Sequence, residues 1–201
     1  MNRQAASRYS NVMASAQHPP GDLNLPVFRY HADPIASGSV EASGAECACC
    51  KVRRDYIYTG PAFCEAELDD ALCPWCIANG SAHEKFDASF ADPTGFPDGI
   101  PQPVIDEIAF RTPGFNTWQQ SKWLACCGDA AAFLEPAGQK ELRARYPQIE
   151  GTLMMYVVHE LGISGAAATR FLASLDRDHG PTAYVFACRH CDARPAYIDY
   201  L

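Results

Sequence analysis

The chain has 201 residues, 48% of them hydrophobic, enough for one compact body with a sizeable core or for two small units joined by metal; one continuous body is expected. Its net charge of −8 repels phosphate backbones and anionic lipid, and only Lys51, Arg53 and Arg54 cluster, so nucleic-acid binding is not expected. No window reaches the roughly 18 consecutive apolar residues of a membrane span, and Met1 to Gln17 lacks the apolar core of a secretory signal, so a cytoplasmic protein with reduced thiols is expected.

Residues 1–24 show no periodicity and read as a disordered tail. Leu25 to Tyr30 alternates Val27 and Arg29 against Phe28 and Tyr30, which predicts a short strand ended by Asp33-Pro34. A second strand is predicted at Asp55 to Tyr58, stopped by Gly60-Pro61, followed by a short helix from Glu65 to Ala71 and another from Ile77 to Phe86. The breakers from Pro93 to Pro103 mark a connection between an N-terminal module, 25–92, and the remainder, 93–201, expected to pack as one body. Val104, Ile105, Ile108 and Ala109 have helical spacing, and Pro113-Gly114 ends that helix near Arg111. Thr117 reads as the cap of a further helix that buries Trp118 and Trp123. Ile149, Leu153, Tyr156, Val157 and Leu161 form an amphipathic helix closing at Gly162, and Ser164 caps a last helix running to Leu175. Ala183 to Ala187 and Ala196 to Tyr200 make a closing hairpin.

Ten cysteines stand out, six of them in Cys-x-x-Cys pairs: Cys47/Cys50, Cys73/Cys76 and Cys188/Cys191. Two such pairs complete a tetrahedral thiolate site, and the stretch from Lys51 to Leu72 has the length of a zinc-ribbon insert, so Cys47, Cys50, Cys73 and Cys76 are expected to bind Zn2+. Laid without gaps, the Cys47 and Cys188 knuckles share C-x-x-C-x-x-R-x-x-Y-I, through Arg53 and Arg194, Tyr56 and Tyr197, Ile57 and Ile198. That match selects Cys47 and Cys50 as ligands and leaves Cys49 spare.

Cys188 and Cys191 then need partners, and Cys126-Cys127 are the close-set cysteines left to supply them. Neighbours on a helix point about 100° apart, so both reach one ion only if the helix has ended, which Gly128 permits. A set of Cys127, Cys188 and Cys191 with His190 or Asp129 is the other arrangement, and a plain buried thiol pair is the bland one.

Catalytic signatures are missing: the chain has no H-E-x-x-H, no H-x-E before its P-C-x-x-C, no P-loop and no G-x-S-x-G. Four cysteines close the first site, which makes it structural. A three-cysteine second site would leave room for a zinc-bound water, with Asp129 or Glu135 as base, so a metal-dependent hydrolase is the alternative to a binding protein.

The segments Leu25-Pro26-x-Phe28-x-Tyr30-His31-x-Asp33-Pro34, Cys47-x-x-Cys50, Tyr56-Ile57-Tyr58-Thr59-Gly60-Pro61, Cys73-Pro74-Trp75-Cys76-Ile77-Ala78, Gly80-Ser81-Ala82, Glu84-Lys85-Phe86-Asp87, Arg111-Thr112-Pro113-Gly114, Trp118-Gln119-Gln120 and Trp123-Leu124 resemble the bacterial CbrC family. The resemblance covers about Leu25 to Phe133 and the last knuckle. In that family His-Cys usually stands where this chain has Cys126-Cys127, which keeps a ligand type at 126. A further cysteine stands where this chain has Ala131. The family is named for a member associated with tolerance to a colicin, so the resemblance implies a tolerance or immunity factor that binds a protein partner, a toxin.

Arg111, Trp118, Gln119 and Gln120 form the candidate binding surface, polar groups around an aromatic pair in a helix-turn-helix connection. In the other reading Arg111 caps a helix end, Pro113-Gly114 turns the chain and Trp118 fills the core. The whole is expected to be α+β, with zinc-ribbon-like knuckles and short β-hairpins around a helical middle.

Overall fold

The computed structural model describes residues 24–200, so the tail expected over 1–24 lies, Asn24 apart, outside the described residues. The fold is α+β and centres on an antiparallel three-stranded sheet, with β6 (Thr182–Ala187) between β5 (Ala132–Ala137) and β7 (Ala196–Asp199). β6 is buried on both faces, and its period of two sorts the core. Tyr184 and Phe186 face an aromatic cluster of Tyr30, Phe115, Trp123, Phe133 and Tyr197. Ala183 and Val185 face the opposite cluster, where α4 (Gln139–Arg145), α5 (Glu150–His159) and α6 (Gly165–Ala173) contribute Leu142, Leu153, Val157 and Leu172. None of the described helices is long and apolar enough to cross a membrane.

A third cluster fills the N-terminal half, where β1 (Val40–Ala42) pairs with β2 (Tyr56–Tyr58) over Leu72, Trp75, Ile77 and Phe90. The helix expected over Ile77 to Phe86 is two: α1 (Pro74–Ala78) and α2 (Ser81–Phe86). They break at Gly80, whose φ of 83° is left-handed and open to glycine at no steric cost.

Other expectations need correction. Phe28 and Tyr30 are buried and Val27 is 98% exposed, as alternation predicts, yet the segment forms no strand. Its ladder contact is a bridge at the end, where Phe133 N–H donates to Tyr30 O and Ala32 N–H to Phe133 O. Pro26 offers no N–H. The helix from Glu65 to Ala71 is absent; Asp70 is left-handed at φ 50°, and the carbonyls of Ala71 and Leu72 accept from Ala48 and Tyr58 instead. No helix follows Thr117 either, because the backbone N–H of Gln119 is taken by the Asp199 carboxylate and the Thr117 hydroxyl bonds Gln119 O. The chain instead runs irregularly into a hairpin of β3 (Ala125–Cys126) and β4 (Asp129–Ala130). The helix ending at Arg111 is present as α3 (Gln102–Arg111), and the two later helices and the closing hairpin lie where periodicity places them.

The turn after α3 joins the halves. Tyr58 Oη accepts from Gly114 N–H at 3.1 Å and donates to Pro61 O, while buried His31 bonds Pro113 O at 2.8 Å and Ser37 Oγ at 2.7 Å. A carbonyl only accepts, so His31 Nδ1 carries the proton and Nε2 accepts from Ser37. A Cβ on Gly114 would run into the Phe90 carbonyl and stand 3.0 Å from Tyr58 Oη.

Both the close approach and the buried histidine at this junction can be tested. Gly114→Ala is expected to destabilise the fold by about 3 kcal/mol, since backbone must move to admit the methyl group; a denaturant midpoint measures it. Burial, opposed by the bond to Pro113, lowers His31 from 6.5 to about 4. The unfolded chain therefore takes up a proton as pH falls through the ordinary histidine range while the folded chain does not. The stability it supplies is full above that range and is lost on descent towards the folded value, a loss of about 2 kcal/mol between about pH 7 and about pH 5. His31→Gln removes that slope, and denaturation of both proteins at the two pH values reads the difference.

Candidate metal centres

The eight cysteines singled out by spacing form two tetrads, and within each the sulfur atoms lie within 4.8 Å of one another. All ten cysteines are free thiols. A tetrahedral ion with Zn–S arms of about 2.3 Å spaces its sulfurs about 3.8 Å apart. In the first tetrad Cys47 to Cys76 is 3.8 Å and Cys50 to Cys73 is 3.9 Å; in the second, Cys126 to Cys127 and to Cys191 are 3.8 Å and Cys127 to Cys191 is 3.7 Å. Both sets fit a tetrahedral cation, and neither approaches the roughly 2.05 Å of a disulfide.

In the first site one pair comes from a knuckle. Lys51, left-handed at φ 60°, turns the chain so that its N–H meets Cys47 O at 2.8 Å, and Cys47 N–H donates to Val52 O at 3.1 Å. The other pair brackets the start of α1, where Pro74 occupies a first-turn position that needs no N–H. Cys73 N–H donates to Cys47 Sγ at 3.2 Å. Lys85 Nζ covers the knuckle by donating to Ala48 O and Cys49 O, and Cys49 turns away to Ser81 Oγ, outside the tetrad. Cys47, Cys73 and Cys76 are buried. Hydrogen bonds from Cys73 and Cys76 hold the Cys47 thiol below its ordinary range, and sharing that charge pushes Cys73 up to about 12 and Cys76 further up. A cation removes the conflict by replacing the protons.

The second site depends on a turn rather than on a helix end. Cys127 (φ 54°) and Gly128 (φ 74°) are both left-handed, the conformation of a two-residue type I′ hairpin, and this brings adjacent cysteines to one point. The opposite knuckle repeats the first: Cys188 N–H donates to Ala193 O at 2.9 Å, the same five-residue step as Cys47 to Val52. Cys127 and Cys191 are exposed.

Asp129 and His190, the other ligands considered for this site, bond each other at 2.8 Å. Asp129 also accepts from Tyr30 Oη at 3.0 Å and Arg189 Nη1 at 2.7 Å, and Arg189 lies over the Tyr30 ring. Burial acts to raise the Asp129 pKa, but the His190 and Tyr30 bonds and the Arg189 charge outweigh it and lower the value. The carboxylate thus ties the hairpin that carries Cys126 and Cys127 to the knuckle that carries Cys188 and Cys191. Sequence reasoning missed Tyr30 and Arg189; the Cys-Arg-His-Cys knuckle, with two basic residues between ligands, was the available signal.

The four residues of the candidate surface are not gathered in one place. Arg111 Nε donates to Ala78 O at the end of α1, and its side chain lines a cleft with Val27 and Glu107. Trp118 Nε1 donates to Thr182 Oγ1, and its ring lies against Gly180. Gln119 bonds Tyr200 O and Gln120 bonds Asp92, and both line a different cleft of about 520 Å³ with Pro61, Phe63 and Asn116.

A family model described as "Uncharacterised protein family (UPF0167)" matches residues 25–200. UPF0167 proteins of Mycobacterium bovis and Mycobacterium tuberculosis are each 44% identical to the chain over 177 residues, covering 88% of it and 94% of theirs. One from Pseudomonas aeruginosa is 39% identical over 178 residues, covering 88% of this chain and 97% of its own. No solved structure matches the chain.

Cys47→Ser is expected to lose one metal equivalent and to lower the thermal midpoint sharply, since the site sits inside the N-terminal core. Cys64→Ser, whose thiol lies outside both tetrads and donates to the nearby Ala66 carbonyl, should change neither. Elemental analysis and thermal melts of the two variants check this; a Cys47 variant with full metal content and an unshifted melt would remove that cysteine from the ligand set.

Proposed function

The chain belongs to the UPF0167 family, and from that premise we propose that it is a zinc-scaffolded protein that acts by contact with another protein rather than by turnover. The observation that carries this is the sulfur spacing, about that of a zinc tetrahedron in both tetrads. All-thiolate ligation favours zinc or iron–sulfur chemistry among common metals, and zinc holds such a shell without changing oxidation state. With four cysteines around each ion, no coordination position is left for water or substrate, which is the pattern of structural and not of catalytic zinc. The hydrolase alternative would need one thiolate to leave the second site.

The finer reading is tolerance to a protein toxin, as the resemblance to the CbrC family implies. A net charge of −8 would steer a basic partner such as a nuclease toxin into contact. The cleft of about 520 Å³ beside exposed Phe63, rimmed by Asn116, Gln119 and Gln120, supplies an apolar surface with polar edges of the kind that interfaces use.

Protein purified without chelator is expected to carry two zinc ions, one per tetrad, and a strong chelator should unfold it, since a structural site can supply on the order of 10 kcal/mol. Elemental analysis and circular dichroism read both. For the partner, purified nuclease colicins are titrated calorimetrically into the zinc-loaded chain at low and high salt, with survival of expressing cells measured in parallel. Saturable binding that weakens with salt, together with raised survival, supports the toxin reading. Absence of both across the panel ends it while leaving the zinc assignment standing on the metal count.

A further inference from the structure

The two tetrads differ in one respect that their shared geometry hides. The first buries Cys47, Cys73 and Cys76, with exposures of 0%, 1% and 3%, whereas the second leaves Cys127 and Cys191 exposed and their sulfurs 3.7 Å apart. We infer that the second tetrad is an oxidant-reactive thiolate site, in which a hydroperoxide joins Cys127 to Cys191 and frees one zinc ion while the first tetrad keeps its own. The inference rests on the zinc reading of the proposed function.

Thiolate, not thiol, attacks peroxide, and metal ligation keeps cysteine in that form. The Cys127 thiolate attacks one oxygen of hydrogen peroxide and breaks the O–O bond; hydroxide leaves and becomes water, and Cys127 becomes a sulfenic acid. The Cys191 thiolate then attacks that sulfur and forms the S–S bond, and the second hydroxide departs as water. Two electrons pass from the two sulfurs to the peroxide, and two protons come from solvent. Two thiolates remain, too few to hold the ion. Closing the pair from 3.7 Å to about 2.05 Å needs a movement of under about 2 Å. Cys127 sits at the tip of a hairpin with two residues per strand, where such a movement disturbs little packing.

In the first tetrad only Cys50 is more than marginally exposed, and its neighbour Cys73, 3.9 Å away, is buried at the start of α1, so peroxide reaches one sulfur at most and closing that pair would pull a ligand out of the core. The Asp129 contacts to Arg189 and His190 join hairpin and knuckle without help from the ion. The two halves therefore stay in register after oxidation, and reduction restores a site ready to reload.

The test uses the full chain, with its zinc counted first under reducing conditions. Fewer than two ions at that stage is a failure of the zinc reading, distinguishable from any outcome of oxidation. Hydrogen peroxide is then added, zinc release is measured with a chromophoric indicator, and disulfides are mapped by non-reducing peptide mass spectrometry. One ion is expected to leave at about tenfold or more the rate of the other, with a Cys127–Cys191 disulfide, and thiol reductant plus zinc should restore the starting state. Release of both ions at one rate, retention of both, or a disulfide drawn from Cys47, Cys50, Cys73 and Cys76 overturns the inference. Cys191→Ser provides a second measurement: it should form no disulfide at Cys127 yet keep the zinc of the first tetrad, and an unchanged disulfide yield at Cys127 counts against the assignment.

Discussion

Four thiolates about 3.8 Å apart repel one another strongly, and only a cation at their centre makes that arrangement favourable. The chain places four cysteine sulfurs at such a spacing twice, and much else in the fold serves to bring them to those positions. In the first tetrad the knuckle and the start of α1 meet over Leu72 and Trp75, so the core of the N-terminal half grows outward from the site. In the second, the ligands come from a hairpin and a knuckle 61 to 65 residues apart in sequence, with α4, α5 and α6 lying between them in the chain. The central sheet spans that separation, because β5 leaves the hairpin and β6 enters the knuckle, and the two strands pair directly.

The halves are joined by hydrogen bonds in place of metal. Tyr58, His31, Pro113 and Gly114 form a buried contact in which the tyrosine hydroxyl and both ring nitrogens of the histidine find partners. Such a contact has little tolerance, since a lost partner strands a buried donor or acceptor at a cost of about 1–3 kcal/mol. The Arg111-Thr112-Pro113-Gly114 run thus has a structural account that needs no ligand: Arg111 satisfies the carbonyl end of α1, Pro113 receives His31, and Gly114 gives the closeness that Tyr58 requires.

What the sequence made legible was local. Cys-x-x-Cys spacing, the gapless match between the two knuckles, the helices with clear periodicity and the closing hairpin all depend on residues a few positions apart, and they appear where expected. Strand β5, the edge partner of central β6, went unread because Pro136 breaks its pattern; the strand tolerates proline because it lies at the sheet edge. Thr117 gives the Trp118 segment the look of a helix start, yet its tryptophans, five apart, do not share a helix face, and each indole finds its partner elsewhere, Thr182 for Trp118 and the Ala131 carbonyl for Trp123. The Cys127-Gly128 turn was hidden for a similar reason. A cysteine at positive φ is uncommon, and only the demand that both thiols face one ion favours it.

The unequal burial of the tetrads follows from their supports. A site framed by α1 and a knuckle is enclosed by the core that these elements build, whereas a site framed by a two-residue hairpin turn has, among the described residues, nothing beyond it to exclude water. Its supporting contacts lie to one side, where Asp129, Tyr30, Arg189 and His190 reach one another across 159 residues of chain. That network does for the second site what the hydrophobic core does for the first, fixing the ligand-bearing elements while leaving Cys127 and Cys191 open to solvent. On the zinc reading, stability and reactivity are thereby separated in one molecule: the enclosed tetrad would hold the N-terminal half together, and the open one would carry the same thiolate chemistry where solutes can reach it.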